Sequence, residues 1–317
     1  MGTEIILGQL LIFGILMLVG AVASWFKLIN DDGKDILSRI IIDITLPFLI
    51  LGTFIRLDSN SAMLMNGLMV FGFTFFNLGL LYLLGTASSS LQKLSPADST
   101  IHTLHTMFGN IVFLGFPLFD ALFPGGVGVF YAASYQLASN AITFTYGVYR
   151  LSAGNNKSGL KSLINVNTGA LVLGFTTMIF GIKVPRLVID SFSSLGKCTS
   201  PLSMVYIGAL LAGLNIKSII KTWSIYILSI NKLILAPLLL GLTYLGINRF
   251  FNLGLSIEAF VVLVMQASMP CQTIVVVMSR RYGGNHQLAT GNLFITTLLS
   301  IFTLPLIYLF LTTIFAW

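Results

Sequence analysis

Apolar residues run through this chain in long blocks separated by short polar connectors. Ten blocks can be counted, at roughly 4–25, 38–56, 62–84, 101–123, 126–149, 162–182, 188–213, 223–245, 256–279 and 287–314. Each is close to the ~20 residues a helix needs to cross the hydrocarbon of a bilayer. The connectors include NDDGKD, SSSLQKLSPADS, SAGNNKSG and RRYGGN. The pattern predicts an all-α polytopic membrane protein of ten transmembrane helices, with no soluble domain between them.

Composition agrees with that pattern. Of 317 residues, 56% are hydrophobic and 9% charged, against about 25% charged in soluble domains. A formal net charge of +7 could suggest nucleic acid, but the basic residues are scattered in ones and twos between apolar blocks. Topology accounts for them, and nucleic acid is not an expected partner. Connectors 1–2, 3–4, 5–6, 7–8 and 9–10 hold eleven Lys or Arg and the opposite side holds five. The positive-inside rule then puts both termini outside the cytoplasm. Ala21-Val22-Ala23 resembles a signal-peptidase site, yet the preceding segment carries Glu4 and no basic residue, so it reads as a retained first span. Cys198 and Cys271 form neither a disulfide framework nor a metal-ligand spacing.

The chain also matches itself at an offset of about 154. Gly20 pairs with Gly174, Thr45-Leu46-Pro47 with Thr199-Ser200-Pro201, Pro117 with Pro270, and Gln136-Leu137-Ala138-Ser139 with Gln287-Leu288-Ala289-Thr290. The expected division is 1–153 and 154–317, five spans each. An odd number of spans inserts the second repeat upside down, which is a signature of secondary transporters.

Spans 4 and 9 each carry a helix breaker among polar residues. Gly115 and Pro117 follow Asn110; Gln266, Ser268, Gln272 and Thr273 flank Pro270. If each proline opens a second half-helix, its fixed φ suits the first helical position. The N–H groups behind it form a partial positive charge. In inverted repeats two such ends approach the midplane from opposite sides, where they can hold an anionic group. Asn110 and Gln266 would add neutral donors, and a carboxylate is the natural substrate class.

Ionisable groups inside spans are candidates for coupling or charge compensation. Lys232 either snorkels to the cytoplasmic surface or faces a substrate path. Asp43 lies four residues before Pro47 and reads as functional or as an interfacial cap. Asp120 and Glu258 lie nearer the outer face and could carry a coupling proton. His102 and His105 share a helix face without further ligands, so no metal site is expected, nor any cofactor. Arg280-Arg281 reads as topology. The chain contains no HExxH and no facing pair of catalytic carboxylates, so an enzyme is not expected. GNNKSGLKS, residues 154–162, nearly spells a phosphate-binding loop, but Leu160 interrupts the Gly-Lys step and the strand-to-helix context is missing.

Three signatures, spread over nearly the whole chain, resemble the auxin efflux carrier family, which includes plant auxin exporters and bacterial permeases for malate and related acids. The first is Asn110-x-x-x-Leu114-Gly115-x-Pro117-Leu118. The second runs from Gln266-Ala267-x-x-Pro270 through Arg281-Tyr282-Gly283-Gly284 to Thr296-Thr297-Leu298-Leu299-Ser300 and Leu304-Pro305. The third is Ser200-Pro201-Leu202-Ser203-Met204 with Gly208. The resemblance implies a fold like that of bile-acid sodium symporters and sodium/proton antiporters, with broken spans 4 and 9 crossing. It implies a scaffold of spans 1, 2, 6 and 7, a transport core of spans 3–5 and 8–10, an elevator-like movement, and a homodimer. The family's crossover residues map onto Asn110, Pro117 and Pro270. The short loop between spans 5 and 6 looks like a bacterial member, in the cytoplasmic membrane. The expected function is secondary transport of a small organic anion, a dicarboxylate such as malate. The alternatives are export of auxin-like aromatic weak acids or, from another class, an anion channel or non-transporting sensor.

Overall fold

A computed structural model describes residues 2–56, 60–123, 125–152, 166–213, 219, 221–251, 254–282 and 284–314. The GNNKSGLKS connector, Lys217 and Gly283 lie outside the described residues. Among those described, the protein is all-helical, and β pairing is confined to one isolated antiparallel bridge between Gly109 and Cys271.

The first helices are α1 (Gly2–Trp25), α2 (Asp31–Arg56), α3 (Ser61–Leu91) and α4 (Pro96–Met107). They are followed by α5 (Ile111–Leu122), α6 (Val127–Ile142), α7 (Val166–Ile179), α8 (Arg186–Lys197) and α9 (Thr199–Leu211). The last are α10 (Trp223–Phe251), α11 (Ile257–Ala267), α12 (Thr273–Tyr282) and α13 (His286–Ile314). Among the described residues, four continuous stretches are long and apolar enough to cross a bilayer: Asp31–Arg56, Ser61–Leu91, Trp223–Phe251 and His286–Thr313. The chain is a multi-pass membrane protein. One span expected to be continuous is divided: the segment 188–213 holds all but the first two residues of α8 and all of α9, separated at Cys198. Arg186, Asp190 and Ser193 make α8 amphipathic rather than uniformly apolar.

Three prolines leave the same mark on these helices. Wide π turns occupy Ile40–Thr45, Ile111–Gly115 and Asn231–Leu235, and each ends two residues before a proline: Pro47, Pro117 and Pro237. Proline lacks an N–H and crowds the carbonyl four residues back. Widening the preceding turn relieves the clash without ending the helix. Another π turn, Thr143–Gly147, extends α6 without a proline.

The chain divides into two compact units that interleave in sequence. Unit 1 comprises Met1–Met65, Val112–Ala133 and Ile164–Asn215; unit 2 comprises Asn66–Ile111, Ser134–Leu163 and Ile216–Trp317. In unit 1, α1 lies directly on α9. A Cβ at Gly20 would overlap the Val205 carbonyl, and one at Gly208 would overlap the Met17 carbonyl. Only glycine lets the two backbones meet there. The α2 helix packs on α7 and α8, with Gly196 against the Leu49 backbone and an exposed Arg56–Asp190 ion pair at 3.2 Å.

Unit 2 is held more by buried polar contacts. Asn77 Nδ2 donates to the Leu263 carbonyl at 3.2 Å, and the Tyr244 hydroxyl donates to Asn77 Oδ1 at 2.5 Å. Asn66 Oδ1 accepts from the Ser256 N–H at 2.7 Å. These bonds tie α3 to α10, to α11 and to the residue that caps α11.

Candidate functional site

The α4 and α11 helices begin alike. Ser95 Oγ accepts from the Asp98 N–H, and Ser256 Oγ accepts from the Ala259 N–H, both at 3.2 Å. Each first turn carries an acid, Asp98 or Glu258, which favours the positive helix end. Both helices then stop inside the apolar block. The first gives way at Phe108 to an extended backbone, with φ −102° and ψ 125°. The second ends at Ser268, and the next helix starts only at Thr273.

The two interruptions face each other. Asn110 N donates to the Pro270 carbonyl at 2.7 Å, and Gln272 N donates to the Phe108 carbonyl at 3.2 Å. Gly109 and Cys271 sit opposite one another between those bonds. A Cβ at Gly109 would lie 2.8 Å from the Gln266 carbonyl oxygen and 2.9 Å from Met269 Cβ. The close approach of the two segments therefore requires glycine at this position. Because the pairing is antiparallel, each side of the crossing carries the end of one half-helix and the start of another. The first N–H groups of α5 and α12, which have no intrahelical acceptors, begin immediately beside it.

Most of the predicted binding residues gather here. Asn110, Pro270 and Gln272 lie in the extended segments, Gln266 and Ser268 close α11 and Thr273 opens α12, all buried. Both polar atoms of the Gln266 amide, Gln272 Oε1 and Thr273 Oγ1 have no hydrogen-bond partner among the described residues. Leaving such a group unpaired costs about 1–3 kcal/mol, so a polar ligand is the natural complement. Ser268 is already engaged, its hydroxyl donating to the Met265 carbonyl at 2.8 Å.

Neither proline opens a half-helix as the sequence pattern suggested. Pro270 lies in the extended crossing itself, three residues ahead of Thr273. Pro117 lies beyond the break, inside α5, where the π turn containing Gly115 accommodates it. The counterpart that faces Cys271 is Gly109, not Pro117. Gly115, Pro117, Asp43 and Asp120 belong to unit 1. Asp43 is exposed on a π turn, while Asp120 borders a cavity of about 280 Å³ shared with Arg56 and Lys197. Glu258 is half-exposed at the start of α11, about 15 Å along the helix from the crossing.

Lys232 does not snorkel. It is fully buried on the π turn of α10, and its Nζ donates to the Thr106 carbonyl at 3.0 Å, in the last turn of α4. An ionisable group at this depth is costly unless it has a role. Sequence reasoning missed the polar framework around it. His102 Nε2 meets Ser88 Oγ at 2.9 Å, and Asn231 Nδ2 reaches the same hydroxyl at 2.6 Å. His105 Nδ1 pairs with Asn292 Nδ2 at 3.2 Å, and Thr296 Oγ1 accepts from Cys271 N at 3.1 Å. The two histidines thus bond different helices, and no group of three metal-ligating side chains occurs among the described residues. Arg280 and Arg281 fall in the last turns of α12.

A family profile described as "Membrane transport protein" matches residues 5–158 and 150–308. The chain belongs to this membrane transport family. The transporter is also 29% identical, over 309 residues, to an uncharacterized transporter of Methanocaldococcus jannaschii; the match covers 93% of this chain and 96% of the relative. Neither description carries a catalytic activity.

Proposed function

We propose that the protein is a secondary transporter of a small organic anion, with a dicarboxylate such as malate as substrate, working by alternating access. Ten spans in two inverted halves, both termini outside the cytoplasm, a cytoplasmic-membrane location and a homodimer complete this reading. The observation that carries it is the antiparallel crossing at Gly109 and Cys271. Two half-helix N-termini start there, and the unpartnered Gln266 amide sits beside them. Partial positive charge from two helix starts suits a carboxylate without a bound metal.

The test is counterflow into proteoliposomes with radiolabelled malate, malonate and indole-3-acetate. Saturable exchange of a carboxylate supports the proposal, and absence for the whole panel refutes the substrate class. A conductance that never saturates would favour a channel. A second reading, an aromatic weak acid, draws on an apolar groove of about 420 Å³ in unit 2. Phe75, Leu78, Tyr82, Ile142 and Tyr146 line it together with Met107, the last residue of α4 before the crossing. Preference for indole-3-acetate over malate would select that reading.

A further inference from the structure

Among the residues whose side chains are described, Lys232 is the one charged side chain that is buried. Its position follows from local sequence. Pro237 widens the turn at Asn231–Leu235, and Lys232 stands within that turn, in mid-helix rather than at an end. The amine reaches the Thr106 carbonyl, two residues before Phe108, whose own carbonyl accepts from Gln272 in the crossing. It therefore stands at the negative end of the α4 half-helix, next to the proposed anion site.

No carboxylate pairs with it among the described residues. The elements packed on this π turn are α4, α13 and the rest of α10, and α3 reaches it through the bond between Ser88 and Asn231. Their one carboxylate is Asp98, about 12 Å along α4 from Thr106 and bonded to Asn285 at 2.7 Å. The titratable groups facing the amine are His105 and Cys271, with His102 one turn further and bonded to Ser88. Tyr82 on α3 and Tyr226, Tyr244, Arg249, His286 and Tyr308 complete the titratable groups on those helices. The countercharge for an ammonium at Lys232 must therefore come from backbone dipoles or from a bound anion.

We propose that Lys232 carries the coupling proton of this transporter. The amine takes a proton from water on the side where the anion enters, holds it while the anion is bound, and returns it to water where the anion leaves. Each ligand favours binding of the other, as linkage requires, and the cycle is symport of one proton with one anion. This rests on the anion-transport reading above.

The two can be separated in one set of proteoliposomes. Counterflow without gradients tests the anion reading alone, and its absence for malate, malonate and indole-3-acetate would remove both. For a probe that exchanges, an inside-alkaline gradient of about one pH unit, with voltage clamped, should raise accumulation about tenfold over protein-free vesicles. Exchange without such accumulation overturns the role of Lys232 and leaves the anion reading standing. Lys232→Arg keeps the cation and the Thr106 contact, and should retain exchange while losing gradient-driven accumulation. Lys232→Gln should lose it too, and His105→Gln should keep it. Accumulation surviving in either lysine variant, or vanishing in the His105 variant alone, overturns the proposal.

A last measurement needs no variant. Calorimetry of the wild-type protein in buffers of different ionisation enthalpy, at about pH 8 where the dicarboxylate is fully ionised, should show net proton uptake when malate binds. No uptake overturns the proposal.

Discussion

Glycine brings backbones into contact in both units, and two of these contacts have opposite consequences. In unit 1, Gly20 and Gly208 let α1 and α9 touch along two unbroken helices. Every backbone group there is already bonded within its own helix, so the contact is apolar and mechanical. In unit 2, Gly109 lets two interrupted helices touch, and the backbone groups released by the interruption bond across the crossing. The same small residue serves rigidity in one place and a polar site in the other. What differs is whether the helical hydrogen-bond ladder survives the approach.

That contrast can be attacked at each contact. The largest expected effect is at Gly208→Ala, whose Cβ would overlap the Met17 carbonyl oxygen. Helices of this kind cannot shift without losing the interface, so the loss should exceed about 3 kcal/mol. It is read as collapse of the monodisperse fraction in detergent, and a normal elution profile and melting temperature would refute the close-contact account. Gly109→Ala comes next. Its Cβ meets the Gln266 carbonyl, and transport should fall about 100-fold from a misplaced site, with a smaller loss of folded protein. If folding and transport fall in proportion, the two glycine contacts are of one kind and the contrast fails.

Gln266→Leu sharpens the comparison further. Removing a buried amide that has no partner should leave the melting temperature unchanged or raise it, while transport drops about tenfold. A fall in stability without a transport defect would make Gln266 a structural residue. The smallest effect belongs to Pro117→Ala. Since this proline sits past a π turn inside a continuing helix, stability should change by under about 1 kcal/mol and transport by no more than about twofold. A loss rivalling that of Gly109→Ala would return Pro117 to the site.

The legible and illegible parts of the site differ in a physical way. Asn110, Gln266, Ser268, Pro270, Gln272 and Thr273 could be found because polar residues inside an apolar block are conspicuous. Gly109 was passed over because nothing in its neighbourhood distinguishes it from other glycines of an apolar helix; its meaning lies in the Gln266 carbonyl across the crossing. Pro117 was overread for the converse reason. A proline signals helix disruption locally, yet Pro47, Pro117 and Pro237 all produce a widened turn instead of a break. His102 and His105 looked like a pair on one helix face, and the structure sends them to Ser88 and Asn292 on different helices.

By itself, the sequence determined that the chain is helical and lives in a membrane, because hydrophobic blocks of about 20 residues admit no other backbone that satisfies its own hydrogen bonds in lipid. It also determined which blocks carry polar residues and which family the signatures resemble. Tertiary structure alone decided where the two helices stop, which glycine permits the crossing, and that Lys232 turns inward to the Thr106 carbonyl. Those outcomes depend on groups more than a hundred residues apart meeting within hydrogen-bond distance, and no local pattern encodes such a meeting.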